Sequence, residues 1–422
     1  MQPVPIRLLP DTATFDADET FVGGVPLQAL AETFETPLFV YDEATLRARF
    51  REAASVFDFG VAFASKSFLC GAMARLAYSE GLCIDVATGG ELDLVLRSGV
   101  PADHIILHGN NKSWEELRRA ISVGVHRIVV DNFDEIDRLT SLVTPGANVH
   151  VLVRVTPGVE AHTHEFVRTG HEDTKFGFAI ATGAARDAIE RLRSVEGIVL
   201  HGIHAHIGSQ IFGFAGFVEA IGILADFMAN DRFDELCVGG GLGVAYTQDE
   251  YAPSITEWGT QLRQAIKSCG LGDLRVLAEP GRAIVAQAAV TLYTVGAIKE
   301  VTQRTYMAVD GGMSDNPRPV LYGSGYEAFD IRRPLAERTR PVRLVGKHCE
   351  SGDVLIDEAW LPAETDIDDV IATPVTGAYG YSMASNYNRV PRPAVVFVRD
   401  GEAREVLRRE TYDDLARLEV NE

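Results

Sequence analysis

Lys66 lies in the segment Phe63-Ala64-Ser65-Lys66-Ser67, directly behind an apolar run. A lysine at a buried strand end sheds water, which lowers its pKa and frees the amine as a nucleophile. The plainer reading is a rim lysine paired with a carboxylate such as Asp85. His204-Ala205-His206 puts two imidazoles on one strand face, and His162 and His164 would extend the set toward a metal site. No H-E-x-x-H or comparable spacing supports a metal, so none is expected; a ring stacked on a planar cofactor, or a core histidine, is the preferred reading. Gly239-Gly240-Gly241-Leu242-Gly243 is either a flexible turn or a cradle whose backbone N–H groups approach a phosphate closely. Glu279-Pro280-Gly281-Arg282 adds a carboxylate and a guanidinium. His348-Cys349-Glu350-Ser351-Gly352-Asp353 sets a thiol among acids in a polar turn, where a proton donor could work. Asp315-Asn316-Pro317-Arg318-Pro319 fixes an arginine in a proline-rich turn, and Tyr379, Tyr381 and Tyr387 sit in polar, aromatic loops.

These groups gain meaning from the elements that must carry them. Short runs rich in Val, Ile and Leu recur at 61–64, 82–86, 104–107, 127–130, 149–155, 198–207, 235–238 and 274–278, as parallel strands buried on both faces do. Helical patterns lie between them: Leu46, Phe50, Ala54 and Phe57 recur at helical spacing, Ser113 with Glu116 forms a capping-box pattern, and Asn132 can cap a helix bearing Ile136 and Leu139. Eight strands alternating with helices over about 250 residues predict a (β/α)8 barrel; a doubly wound open sheet is the competing reading. Lys66, Asp85, His108, Asp131, Arg154, His204, Ser209, the glycine run and Glu279 all follow or end these runs. In a barrel they would share the carboxyl-terminal face, where chemistry is done.

Past residue 299 the pattern changes to strand-like runs at 306–309, 342–347, 354–356, 370–376 and 394–398, with helical periodicity again only near 412–418. Asp400-Gly401 between two such runs signals a hairpin with a type I′ turn. The expected organisation is therefore an α/β chain: a barrel over 41–304, and a mainly antiparallel β domain of sandwich or barrel-like form built from 1–40 and 305–422.

Composition bounds the partners. The chain of 422 residues carries 39 basic and 60 acidic side chains, a net charge of −21. Such a surface disfavours nucleic acid and anionic membrane, both of which need a basic face. The five cysteines are widely spaced and odd in number, with no C-x-x-C pair, which argues for a reducing compartment. No signal-peptide pattern or membrane-length apolar stretch is visible, so a cytoplasmic protein is expected.

Taken in order, the segments resemble a known family over about residues 41–419. The Lys66 segment, Asp85-Val86-Ala87-Thr88-Gly89-Gly90-Glu91-Leu92, His108-Gly109-Asn110-Asn111-Lys112 and His206-Ile207-Gly208-Ser209-Gln210 carry the resemblance. So do the glycine run, Glu279-Pro280-Gly281-Arg282, Cys349-Glu350-Ser351-Gly352-Asp353 and Ser385-Asn386-Tyr387-Asn388. Together they are similar to the diaminopimelate decarboxylase family, pyridoxal-phosphate enzymes of the alanine-racemase-type fold. The resemblance implies that Lys66 bonds the cofactor, His206 stacks on its ring and Glu279 holds the ring nitrogen protonated. It assigns the cofactor phosphate to Ser209, the backbone at Gly240 and Gly241, Gly281 with Arg282, and Tyr379; Asp85 also belongs to the cofactor site. Arg282, Arg318, Tyr322 and Tyr379 would bind substrate, Glu350 its distal amino group, and Cys349 would return a proton. The implied reaction takes meso-diaminopimelate to L-lysine and carbon dioxide in a homodimer that shares its active sites. A decarboxylase of ornithine, arginine or a related amino acid is the alternative on the same fold; a non-catalytic homologue and a metal-dependent barrel hydrolase are more distant ones.

Overall fold

The computed structural model describes residues 4–57, 60–159 and 174–420. The chain divides into two compact units, one of Arg49–Gly243 with Ala252–Ala283, the other of Met1–Ala48, Val244–Tyr251 and Ile284–Glu422.

Among the described residues the first unit holds eight strands that follow the apolar runs: β1 (Ala62–Ala64), β2 (Cys83–Val86), β3 (Ile105–Leu107), β4 (Arg127–Val130), β5 (Val149–Thr156), β6 (Ile198–His204), β7 (Glu235–Cys237) and β8 (Arg275–Leu277). Each pairs in parallel with the next in chain order. The ring closes where Val61 bridges Ala278 and the Ala62 N–H donates to the Ala278 carbonyl at 2.9 Å. This closure decides for the barrel over the open sheet. Ala62, Ile106, Val129, Leu152, Cys237 and Leu277 pack into one buried cluster, drawn from strands all around the ring as a barrel interior requires. Helices between the strands start where their caps stand: Ser113 closes a full capping box with Glu116 over Trp114–Val123, and Asn132 caps Phe133–Leu142. Behind β3 and β4, Lys112 is buried and donates to Glu135 at 2.9 and 3.0 Å and to the carbonyls of Gly109 and Val129 at 2.7 and 2.6 Å, tying both strand ends together.

The second unit is built on a sheet in the order Val354–Pro362, Arg338–Val345, Arg304–Val309, Ala289–Val301, Leu38–Asp42, Ala394–Arg399, Glu402–Leu407, with Val370–Pro374 paired off the long strand Ala289–Val301 and Phe329–Asp330 paired in turn on Val370–Pro374. Its pairings are antiparallel except those of Leu38–Asp42 with Ala394–Arg399 and of Arg304–Val309 with Arg338–Val345. Both chain ends enter its core, where Val4, Leu9, Val22 and Val40 pack with Val290, Ala372 and Val396. Ala289–Val301, which the sequence reading kept within the barrel range, pairs with Leu38–Asp42 and Val370–Pro374, so the chain joins this unit at Ile284. The predicted hairpin is present: Asp400 and Gly401 take φ of 53° and 82°, the two positive values a type I′ turn needs.

Candidate active site

The rim of the barrel gathers most of the sequence-predicted groups. Ser65–Ser67 forms one 3-10 turn straight after β1, held by the Ser67 hydroxyl donating to the Ala64 carbonyl at 2.8 Å. Within it Ser65 and Ser67 are buried while Lys66 is exposed, so the expected desolvation of the lysine is not found. The turn after β8 presses close: a Cβ on Gly281 would lie 2.9 Å from the Ala64 side chain.

Glu279 stands at the centre of this rim, buried. His204 at the end of β6 meets one carboxylate oxygen at 2.9 Å. His108 behind β3 meets the other at 3.0 Å, and the Cys237 thiol at the end of β7 donates to it at 3.2 Å. Burial alone would lift the Glu279 carboxyl, but the two imidazoles outweigh it and hold the group well below the usual carboxylate range. His204 is pushed down to about 4 by burial, against the pull of Glu279. Burial also lowers His108, yet Asp85 and Glu279 beside it raise it above the ordinary imidazole value. Asp85 on β2 lies 3.7 Å from His108 and is pushed up to about 6, chiefly by burial. The site therefore keeps one carboxylate firmly charged and lifts the other, Asp85, to about 6.

The glycine run forms a close-walled loop behind β7. A Cβ on Gly240 would fall 2.2 Å from the Glu279 carbonyl, and one on Gly241, where φ is 113°, 2.3 Å from the Gly208 carbonyl. Only glycine lets the loop come this near the backbone of Glu279 and Gly208. The Gly240 N–H donates to His206 Nδ1 at 3.2 Å. Burial, then the charges of Lys66 and Arg154, hold His206 well below the ordinary imidazole value, in keeping with an accepting, neutral ring. β6 ends at His204, so His206 stands in the following loop rather than on a shared strand face. Arg282, buried, donates to the Ser209 hydroxyl at 3.0 Å.

The remaining predicted residues belong to the other unit. Arg318 opens the short helix Arg318–Tyr322, with Tyr322 half-buried at its end. Arg318 is only 3% exposed, and no carboxylate among the described residues pairs with it. Tyr379 holds a φ of 60° in the loop after Val370–Pro374. Cys349 and Glu350 are exposed, but their loop is fixed: the Cys349 N–H donates to the Asn388 side chain at 3.2 Å. The Asp353 carboxylate accepts from the N–H groups of His348 at 2.9 Å and Met313 at 2.7 Å, and His348 Nε2 lies 2.8 Å from the Ser314 hydroxyl.

His108, His204 and Glu279 approach one another closely enough to suggest a metal site, but each imidazole is engaged with the carboxylate between them. His162 and His164 lie outside the described residues. Sequence reasoning named His108 without a role and His204 as one of a histidine pair, and gave Cys237 none; their common partner Glu279 is 75 residues from His204, a pairing no local pattern reports.

The comparisons agree with this geometry. Residues 43–286 match the model of the pyridoxal-dependent decarboxylase family's pyridoxal binding domain. Diaminopimelate decarboxylase of Bacillus subtilis is 47% identical over 418 residues, and that of Mycobacterium tuberculosis 46% over 421, each spanning 94% of both chains. A crystal structure of diaminopimelate decarboxylase from M. jannaschii with L-lysine superposes with a TM-score of 0.91 at 29% identity, covering 98% of each chain. A barrel rim with a buried carboxylate cup and a glycine loop, joined to this degree of identity over nearly the whole length, makes the chain a member of the diaminopimelate decarboxylase family within the pyridoxal-dependent decarboxylases.

Proposed function

We propose that the chain decarboxylates meso-2,6-diaminopimelate to L-lysine and carbon dioxide, the closing step of lysine formation, using pyridoxal 5′-phosphate. The residues present fit that cofactor. Its phosphate would be held by the backbone at Gly240 and Gly241 with Ser209, Gly281, Arg282 and Tyr379, and Lys66 offers an exposed amine for covalent attachment. A carboxylate offers about four lone-pair positions. His204 and the Cys237 thiol take two on Glu279, with His108 close by as an ion-pair partner, which leaves an acceptor position for a protonated ring nitrogen. A neutral His206 is suited to lie against a planar ring. When bound, the cofactor supplies an electron sink for the pair left behind by the departing carboxylate.

The chain's own groups do the rest. Lys66 would hold the cofactor through its exposed side-chain amine. Asp85 adds a carboxyl lifted to about 6 beside the charged Glu279. Arg318, with Arg282 and Tyr322, grips the carboxylate at the substrate's far end, and Glu350 the far ammonium. The Cys349 thiol gives its proton to the reacting carbon. Cys349 and Glu350 act in the active site of a second copy, which a fixed but exposed loop suits.

The observation that carries this reading is Arg318, a buried guanidinium supported by hydroxyls and rings and lacking a carboxylate among the described residues. A substrate that leaves such a group unpaired is rejected strongly. Carbon dioxide release from meso-diaminopimelate, L-ornithine and L-arginine tests it. The first should dominate; a preference for ornithine overturns the assignment. Lys66→Ala should abolish both turnover and the visible absorption of the purified protein. Five free cysteines support a reducing, cytoplasmic setting.

A further inference from the structure

We infer that Tyr246 and Tyr326 are positioning residues that hold Arg318 ready for a carboxylate, and thereby set the discrimination between ligands with and without one. The inference rests on the substrate reading above and deepens it.

Arg318 has five N–H donors in a rigid fork. Its Nη1 donates to the Tyr326 hydroxyl at 2.7 Å and its Nη2 to the Ser324 hydroxyl at 3.0 Å. Nε has no hydrogen-bond partner among the described residues. The guanidinium carbon lies 4.0 Å from the centre of the Tyr246 ring and 5.7 Å from that of Tyr326, and the two rings meet edge to face at 5.2 Å. Arg318, Tyr246 and Tyr326 are all buried. A charge so placed, with neutral partners alone, is costly to hold, and the ring faces offset only part of that cost. The fork therefore keeps donors for an acceptor with two oxygens, and the tyrosines decide the direction in which those donors point.

The tyrosines are themselves fixed. Tyr246 lies in Val244–Tyr251, which leaves the barrel sequence to join the second unit. There its N–H donates to Glu250 at 2.6 Å, the Gln248 N–H donates to Glu327 at 3.2 Å, and Glu327 pairs with buried Arg338 at 3.2 Å. Removal of the Tyr326 hydroxyl frees the Nη1 end of the fork; removal of the Tyr246 ring removes the face on which it rests.

The test uses the cofactor-loaded enzyme with Tyr326→Phe, Tyr246→Leu, Tyr246→Phe and, as reference, Arg318→Gln. KM and kcat are measured on meso-diaminopimelate, with inhibition constants for L-lysine, which keeps the far carboxylate, and for cadaverine, which has none. We expect about a tenfold rise in KM and in the L-lysine constant for Tyr326→Phe and Tyr246→Leu, the loss of one interaction with a charged group. In both, kcat should stay within about twofold and the cadaverine constant should not move. Tyr246→Phe, which keeps the ring, should recover most of the loss. The inference is overturned if Arg318→Gln raises KM while the tyrosine variants do not. It is equally overturned if L-lysine and cadaverine weaken together with the melting temperature, the mark of a merely structural role. An unaltered KM in Arg318→Gln, or a parent enzyme inert toward meso-diaminopimelate, would instead sink the substrate reading on which it rests.

Discussion

Glu279 and its three partners show how single residues set a charge state. The carboxylate stays ionised in a buried place because two imidazoles face it, and His204 stays neutral because burial outweighs its attraction to that carboxylate. This choice has a pH signature. His204 titrates at about 4 in the fold, below its ordinary value of 6.5. Below pH 6.5 the unfolded chain takes up a proton that the fold refuses, so stability is present above that pH and is lost as pH falls toward 4. Between pH 7 and pH 5 the loss from this one group is about 2 kcal/mol. His204→Leu should therefore start less stable at pH 7, because Glu279 loses a donor, yet lose less on acidification; melting temperatures of parent and variant at the two pH values check it. Equal acid sensitivity in both would show that His204 does not titrate this way. The residue types of the site were legible from sequence because their chemistry is unusual at strand ends. Their partners were not, since His204 with Glu279 and Arg127 with Glu235 join positions 75 and 108 residues apart. Nor was the exposure of Lys66, which the 3-10 turn Ser65–Ser67 carries outward while both flanking serines are buried.

At the scale of elements, the strands were the most visible feature, because burial on both faces demands unbroken Val, Ile and Leu. Closure was not visible, since the bridge from Val61 to Ala278 joins the two ends of the barrel sequence. Ala289–Val301 was hard to place for a related reason: an apolar strand reads alike in either sheet, and pairing with Leu38–Asp42 decides. Turns were legible where φ is decisive, as at Asp400-Gly401. An added Cβ at Gly401 meets nothing within 4 Å, so Gly401→Ala pays for the φ of 82° alone. It should lower stability by about 1 kcal/mol without changing turnover, read by thermal unfolding beside an activity assay. A larger effect is expected where Lys112 ties β3 to β4. Glu135→Gln leaves the Lys112 ammonium buried without its counter-charge and should cost about 3 kcal/mol in unfolding experiments. Replacing both partners, Lys112→Met with Glu135→Leu, should restore much of that, since two apolar groups leave no charge stranded. A double variant as unstable as the sum of the two single changes would show that the pair is not coupled.

For the molecule as a whole, the charge of −21 sums 60 acidic and 39 basic side chains and is silent about the groups proposed to bind substrate and cofactor. Exposure at this scale also bears on assembly. Cys349, given the proton-donating role, stands exposed on a loop pinned by Asn388, His348 and Asp353, so it is presented outward without being free to wander. A thiol placed thus serves a second copy if each active site takes Lys66 from one chain and Cys349 from the other. Inactive Lys66→Ala and Cys349→Ala chains should then complement. Random exchange makes half of the dimers mixed, and each mixed dimer regains one of its two sites, so an equal mixture should reach about a quarter of parental activity. The mixture is unfolded mildly, refolded together and assayed for carbon dioxide release, with each variant refolded alone as control. Activity no higher than the controls, in samples where mass spectrometry shows mixed dimers, would place Cys349 in the same chain's site and remove the case for a shared one.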